Sequence, residues 1–396
     1  MDEPVKPGPA RVVESRAAHR RALCAGILLA ALACPVPGQE PDAQAGPVAR
    51  ENMLGPKPYW PVMQDRIDNM GWGDLDLDGD ADVAIHYHAN RQQYLALYRN
   101  EGGMTYSRYD VFQIPGGDVE QVAFEDIDGD RYPDLLIVRF RGPNTINRND
   151  GKGGFDSRGS MLGLNADDSH EIIGSDIDGD GDTDLVVANA GKSKRYLNDG
   201  FGNFSPGRAI NRDPSGARSV VAGDVDGDGD VDLLLGTHYG HVVLYTNHGN
   251  GTFDADGIQV TPTRMGSMGT LVLVDADADG DLDLFASDPT DVEYFENAGD
   301  GNFEPPVELG GGGYLLMDDM DGDDDIDFVT SPAQVFLNDG PGVWSATERF
   351  INSDNTQERA LIDVDNDNDL DLVLLPHQTL GLKVYLNNTI ARTVTD

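Results

Sequence analysis

Asp224-Val225-Asp226-Gly227-Asp228-Gly229-Asp230-Val231-Asp232 places an Asp at every odd position of a nine-residue stretch. Oxygens at positions 1, 3 and 5 converge when the chain curls tightly, a main-chain carbonyl at position 7 adds another, and the Asp at position 9 closes the shell. Such a flexible, all-oxygen shell of six to eight ligands suits calcium better than magnesium or zinc. Gly229 at position 6 supplies the left-handed turn that the curl needs.

The same pattern begins at Asp74, Asp126, Asp176, Asp224, Asp275, Asp319 and Asp363, with successive spacings of 52, 50, 48, 51, 44 and 44 residues. Seven copies in phase are a repeat architecture rather than a coincidence of acidic composition. The metal ligands expected are Asp74, Asp76, Asp78, Asp80 and Asp82 in the first copy, and Asp126, Asp128, Asp130 and Asp134 in the second. The third and fourth copies offer Asp176, Asp178, Asp180, Asp182 and Asp184, then Asp224, Asp226, Asp228, Asp230 and Asp232. The last three offer Asp275, Asp277, Asp279, Asp281 and Asp283, then Asp319, Asp321, Asp323, Asp325 and Asp327, then Asp363, Asp365, Asp367, Asp369 and Asp371. Up to seven Ca²⁺ ions are therefore expected. Gly79, Gly181 and Gly280 match Gly229 at position 6, and Asp324 and Asn368 are types that tolerate the left-handed region. Arg131 breaks the pattern, so the second site is expected to be strained or weaker.

An EF-hand would need an acidic residue at position 12 followed by a helix. Position 12 is instead Ile85, Ile137, Val187, Leu235, Ala286, Thr330 and Leu374, and apolar runs such as Leu233-Leu234-Leu235 follow position 9 at once. The loop thus joins two strands. Downstream comes a second signature, Asn149-x-Gly151-x-Gly153-x-Phe155, repeated from Asn198 to Phe204, Asn247 to Phe253 and Asn297 to Phe303. Asn338 to Trp344 and Asn100 to Tyr106 are variants of it. Asn-x-Gly between apolar runs signals a hairpin, so each repeat is four short strands. Seven such units predict an all-β, seven-bladed β-propeller with the Ca²⁺ loop in the first hairpin of each blade. The recurrent Phe and Trp are expected between blades.

The acidic loop with its N-x-G-x-G-x-F partner resembles the FG-GAP or VCBS repeat family, which builds the integrin α-subunit head and many secreted bacterial proteins. The resemblance spans Asp74 to Asn388 and implies calcium binding, with partners held on the face away from the metal.

The 396 residues carry 70 Asp+Glu and 28 Lys+Arg, a net charge of −42. That balance disfavours nucleic acid as a partner. Half of the carboxylates, 35 Asp, lie in the seven loops, so the charge marks a metal-binding face rather than an evenly acidic surface. Cys24 and Cys34 are the only cysteines, and neither can staple the body of the chain. The apolar run Ala22 to Cys34 after Arg16, Arg20 and Arg21 has the layout of a secretory signal, assigned to residues 1–38. Ala31-Leu32-Ala33-Cys34 resembles a lipobox, so lipid anchorage through Cys34 and ordinary soluble export both stay open. The Pro/Gly/Ala/Gln-rich stretch 39–58 reads as a linker, 59–388 as the propeller and 389–396 as a tail. The last blade lacks a fourth strand. The segment with Tyr59, Trp60, Val62 and Met63 is expected to supply it and close the ring.

In a four-stranded blade the acidic loop and the Asn-Gly turn share one face, and the remaining connections share the other. The latter collect His86, Tyr87, His88, Arg91, Arg139, Phe140, Arg141, Lys192, Lys194, Arg195, His238, Tyr239, His241 and His377, with Arg212, Arg218, Arg264 and Arg359 in the links. The ligand face is assigned to His86, His88, Arg91, Arg139, Arg141, Lys192, Lys194, Arg195, His238 and His241. His86 and His88 lack a third ligand at useful sequence spacing for a transition metal. The expected function is an exported, monomeric calcium-binding adhesion module for a glycan or extracellular protein, secreted or at the cell surface. The alternative is a calcium-dependent polysaccharide lyase or hydrolase acting on an acidic glycan through Arg, His and Tyr at the channel mouth. No G-x-S-x-G or H-E-x-x-H motif occurs. A passive scaffold is the third reading.

Overall fold

The computed structural model describes residues 50–51 and 67–387, apart from 103–104, 164–166, 211–215, 263, 267–268, 321–322, 324, 332–333, 339, 341, 347–355, 366–369 and 377–382. Seven four-stranded antiparallel sheets follow one another along the chain. The all-β propeller expected from the repeats is the observed fold. In the fourth blade Ala217–Gly223 pairs with Asp232–Thr237, which pairs with Val242–Tyr245 and then Ile258–Gln259. The first strands of all seven blades contact each other in a closed ring, so they line the central channel and the fourth strands face outward.

The second strands are buried over most of their length because each lies between neighbours in its own sheet and between two flanking sheets. Asp232–Thr237 is buried at every position, as is Asp184–Asn189. The apolar core is consequently divided into seven clusters, one at each seam. Phe155 joins Leu75, Leu95 and Leu97 of the preceding blade, and Trp344 joins Phe285 and Tyr294 of the fifth. The repeated aromatics are therefore inter-blade core.

The seventh blade takes its outermost strand from upstream. Arg50–Glu51 pairs antiparallel with Lys383–Leu386, through Arg50 with Leu386 and Glu51 with Tyr385. This strand comes from the stretch read as linker, and Tyr59 to Met63 lie outside the described residues. Five channel-lining strands carry a β-bulge near the end remote from the Asp loops. In the first four blades the extra residue is Asp68, Glu120, His170 and Arg218. Among the described residues no helix is long and apolar enough to cross a membrane.

Candidate metal centres and the opposite face

In the first five blades the Asp loop is a tight curl held by its own carboxylates. Asp224 accepts the Gly227 N–H through Oδ1 at 2.9 Å and the Gly229 N–H through Oδ2 at 3.0 Å, while Asp228 Oδ1 accepts the Asp230 N–H at 2.9 Å. Two left-handed residues turn these N–H groups inward. Position 6 has φ 93° in Gly229 and 80° in Arg131, and position 4 has φ 73° in Gly227, 60° in Leu77 and 62° in Ala278. The position-4 requirement was missed in the sequence, although the first Gly of D-x-D-G-D signals it. Arg131 keeps the loop's hydrogen bond to Asp126 Oδ2 at 2.9 Å, so the second loop is strained at that residue yet formed. Asp324 and Asn368, expected in the same conformation, lie outside the described residues, as do Asp321, Asp367 and Asp369.

Carboxylate oxygens of Asp74, Asp76 and Asp82 lie within 4.8 Å of one another, as do those of Asp176, Asp178 and Asp184, and of Asp224, Asp226 and Asp232. Asp126, Asp128 and Asp130 form the equivalent group in the second blade. One oxygen each of Asp76, Asp128, Asp178 and Asp275 is sealed from solvent without a hydrogen-bond partner. An unpaired buried carboxylate oxygen is costly, and a hard cation is the partner such a donor set fits. Burial, aided by neighbouring carboxylates, raises Asp82 to about 7 and Asp134, Asp184, Asp232 and Asp283 to about 6. Asp182, Asp230 and Asp281, at position 7, lie instead against Gly200, Gly249 and Gly299 of the third-hairpin turn.

The position-9 carboxylate is also a joint. Its Oδ1 accepts the backbone N–H of the blade's Asn in all seven blades, at 2.6 to 2.8 Å. Its Oδ2 accepts the N–H of loop position 2 in six. The Asn side chain reaches across the seam. Asn149, Asn198, Asn247, Asn297, Asn338 and Asn387 each donate Nδ2 to the position-2 carbonyl of the preceding blade, at 2.7 to 3.2 Å. At the seam between the seventh and first blades Asn100 Nδ2 donates to the Tyr106 hydroxyl, which donates to the Ala81 carbonyl.

Two arginines occupy space that a cation would share. Arg99 pairs with Asp76 at 2.7 Å and donates to the Lys152 carbonyl of the second blade. Arg148 Nη1 pairs with Asp128 at 2.6 Å and Asp134 at 2.9 Å, and its Nη2 donates to the Phe201 carbonyl of the third blade. Asp134 Oδ2, which serves position 2 elsewhere, is taken by Arg148. A Cβ on Gly202 would lie 1.7 Å from Arg148 Nη2, so Gly202 makes room for this clamp.

On the opposite face the expected residues separate into buried and presented groups. Arg139 is buried and bonds the Pro143 carbonyl and Thr145 Oγ1, and burial lowers it to about 10. Arg195 is a correction: its guanidinium lies by Asp178 and the Gly251 turn, on the Asp-loop side, because the side chain turns back along its strand. Lys194 pairs with Asp167 at 2.5 Å. Arg91, Arg141 and Lys192 are exposed, with Arg91 and Arg141 at φ 65° and 60°. Arg141 lies over the Phe140 ring at 4.9 Å, Phe140 stacks on His170 at 5.4 Å, and His170 meets His238 edge-on at 4.9 Å. His170 Nδ1 lies 3.3 Å from Glu120, and His241 Nδ1 lies 3.5 Å from Thr261 Oγ1. Tyr239 is 58% exposed beside them. His377 and Arg212 lie outside the described residues.

The FG-GAP-like repeat family matches residues 74–137, 176–235 and 224–286, and each match opens on an acidic loop and ends within the second strand of the next blade. The first five acidic loops lie within FG-GAP-like repeats. No curated protein sequence matches the chain. Among solved structures, the FG-GAP propeller is similar to a lectin of Agrocybe aegerita that specifically recognises non-reducing terminal N-acetylglucosamine, with TM-score 0.53, 19% identity, and 71% of this chain and 80% of that one covered. It is also similar to BBS1N in its complex with ARL6DN, with TM-score 0.54, 12% identity, and 83% and 93% covered. At these identities the likeness is one of fold.

Proposed function

We propose that this FG-GAP propeller is an exported, monomeric binding module, stabilised by calcium in its Asp loops, that recognises a glycan through the face opposite them. The observation that carries the reading is the tier Arg141-Phe140-His170-His238 with exposed Tyr239 beside it. Aromatic faces give a sugar ring an apolar platform, and an exposed guanidinium hydrogen-bonds hydroxyls and carboxylates. Left-handed Arg91 and Arg141 hold their side chains at a conformational cost that ordinary surface arginines avoid. The lectin of like fold supports a sugar ligand. The signal-like run before Cys34 supports export, and the sealed, partnerless oxygens of the Asp loops support calcium.

Glycan-array screening in calcium, followed by calorimetry on the hits, tests the proposal. Arg141→Ala and Tyr239→Ala should each weaken binding at least tenfold without altering the melting curve. A wild-type protein blank on the array, or variants that bind as wild type does, would defeat it. Unsaturated products absorbing in the ultraviolet after incubation with acidic polysaccharides would replace the binding module with a lyase.

A further inference from the structure

His86 and His88 are two apart on the second strand of the first blade, Asp82–Ala89, and therefore project from one side of the sheet. In a regular ladder the facing residues on Ile67–Gly73 would leave them without a third ligand. The bulge between Ile67 and Asn69 changes this, because it inserts Asp68 opposite the two histidines. Ligand atoms of Asp68, His86 and His88 all lie within 4.8 Å of one another, with His88 Nε2 2.9 Å from Asp68 Oδ2.

The tautomer of His86 follows from its neighbour. Gln93 donates its Nε2 to the Gly117 carbonyl at 2.6 Å, which orients its Oε1 toward His86 Nε2 at 3.1 Å. Nε2 therefore carries the proton and Nδ1 the lone pair. His86 is 1% exposed, and Nδ1 is sealed from solvent with no hydrogen-bond partner. An imidazole held by an outer hydrogen bond through one nitrogen, with a bare lone pair on the other, is how metal-bound histidines are oriented.

We infer that Asp68, His86 and His88 form a divalent transition-metal site of the zinc type, separate from the Asp loops and on the opposite face of the propeller. Two imidazoles and one carboxylate are a set that zinc and its neighbours favour over calcium. The His88 side chain is 39% exposed, so the open coordination position faces solvent and takes water or an oxygen of a ligand.

The test is zinc titration of the full chain in saturating calcium, read by calorimetry and by the visible spectrum of the cobalt-substituted protein. Wild type should bind one zinc equivalent more than either His88→Gln or Asp68→Asn, with affinity at that equivalent reduced at least 100-fold in each. His88 and Asp68 lie at the solvent end of the strand pair, so both variants should keep the wild-type melting curve. Gln93→Leu should weaken zinc about 10- to 100-fold, as expected when the orienting hydrogen bond is lost. His238→Gln, outside the cluster, should leave this equivalent intact. Equal stoichiometry in wild type and His88→Gln, or no zinc bound by wild type in saturating calcium, overturns the inference.

Discussion

Asn198 of the third blade donates its side-chain amide to the backbone carbonyl of Ile127, 71 residues earlier in the second blade, at 2.8 Å. The same Nδ2 donates to the Thr183 carbonyl, and the Asn198 backbone N–H donates to Asp184 at 2.6 Å. One residue thus ties its own first hairpin, its own third hairpin and the neighbouring blade.

Asn198→Ala leaves two buried carbonyls without that donor, so it should destabilise the fold by about 2–4 kcal/mol. Asn100→Ala, at the seam where the amide meets Tyr106 instead, should cost roughly half as much. Urea unfolding of both variants in calcium checks the pair, and equal losses would show that the reach across the seam contributes nothing.

Calcium removal should lower the melting temperature. With free calcium tenfold above Kd, each occupied loop contributes about 1.4 kcal/mol, so several loops together should move the midpoint by about 10 °C on adding EGTA. A melting curve indifferent to the chelator would exclude structural calcium.

Arg148 already sits on Asp128 and Asp134, so the second loop should bind calcium least well. Arg148→Gln should raise the calcium stoichiometry by one equivalent in equilibrium dialysis. An unchanged count would mean that the arginine and the ion coexist.

Arg131 adopts φ 80° where four of the other loops have Gly. Arg131→Gly should therefore stabilise the protein by about 1 kcal/mol in thermal or urea unfolding, through relief of left-handed strain. A destabilised variant would show that the arginine side chain makes a compensating contact.

Glu171 accepts the Val220 N–H of the next blade at 2.8 Å, and burial raises its carboxyl to about 7. Its folded pKa exceeds the ordinary value, so its contribution to stability is fully present below about pH 4.5. It is lost as pH rises to about 7, since the unfolded chain releases the proton first. Gln121 and Asn69 make the corresponding contact as neutral amides. Glu171→Gln should accordingly gain on the order of 1–3 kcal/mol at pH 7.5 and flatten the pH profile between 5 and 7. A profile that keeps its wild-type slope would assign that slope elsewhere.

The blade count and the inter-blade aromatics were legible because both depend on repetition along the chain. The role of Asn198 was not, since its partner Ile127 occupies a variable apolar position whose carbonyl carries no sequence signature. Arg148 was equally hidden. It precedes Asn149, and only the seam brings it to Asp128. Arg139 and Arg195 read as surface charge from their loop positions, yet the first is buried and the second turns toward Asp178. Asp68 could not be matched to His86 and His88 because a bulge, invisible to strict alternation, sets that register.

The short pairing of Arg50–Glu51 with Lys383–Leu386 gives the molecule a clasp whose halves are more than three hundred residues apart. Blades can form as they are synthesised, but the last sheet keeps an open edge until the earliest part of the chain returns to it. Closure therefore comes late and carries the entropy of a very long loop. A pull on the chain ahead of residue 50 loads this pairing before any complete blade, so the ring is mechanically weakest where its ends meet.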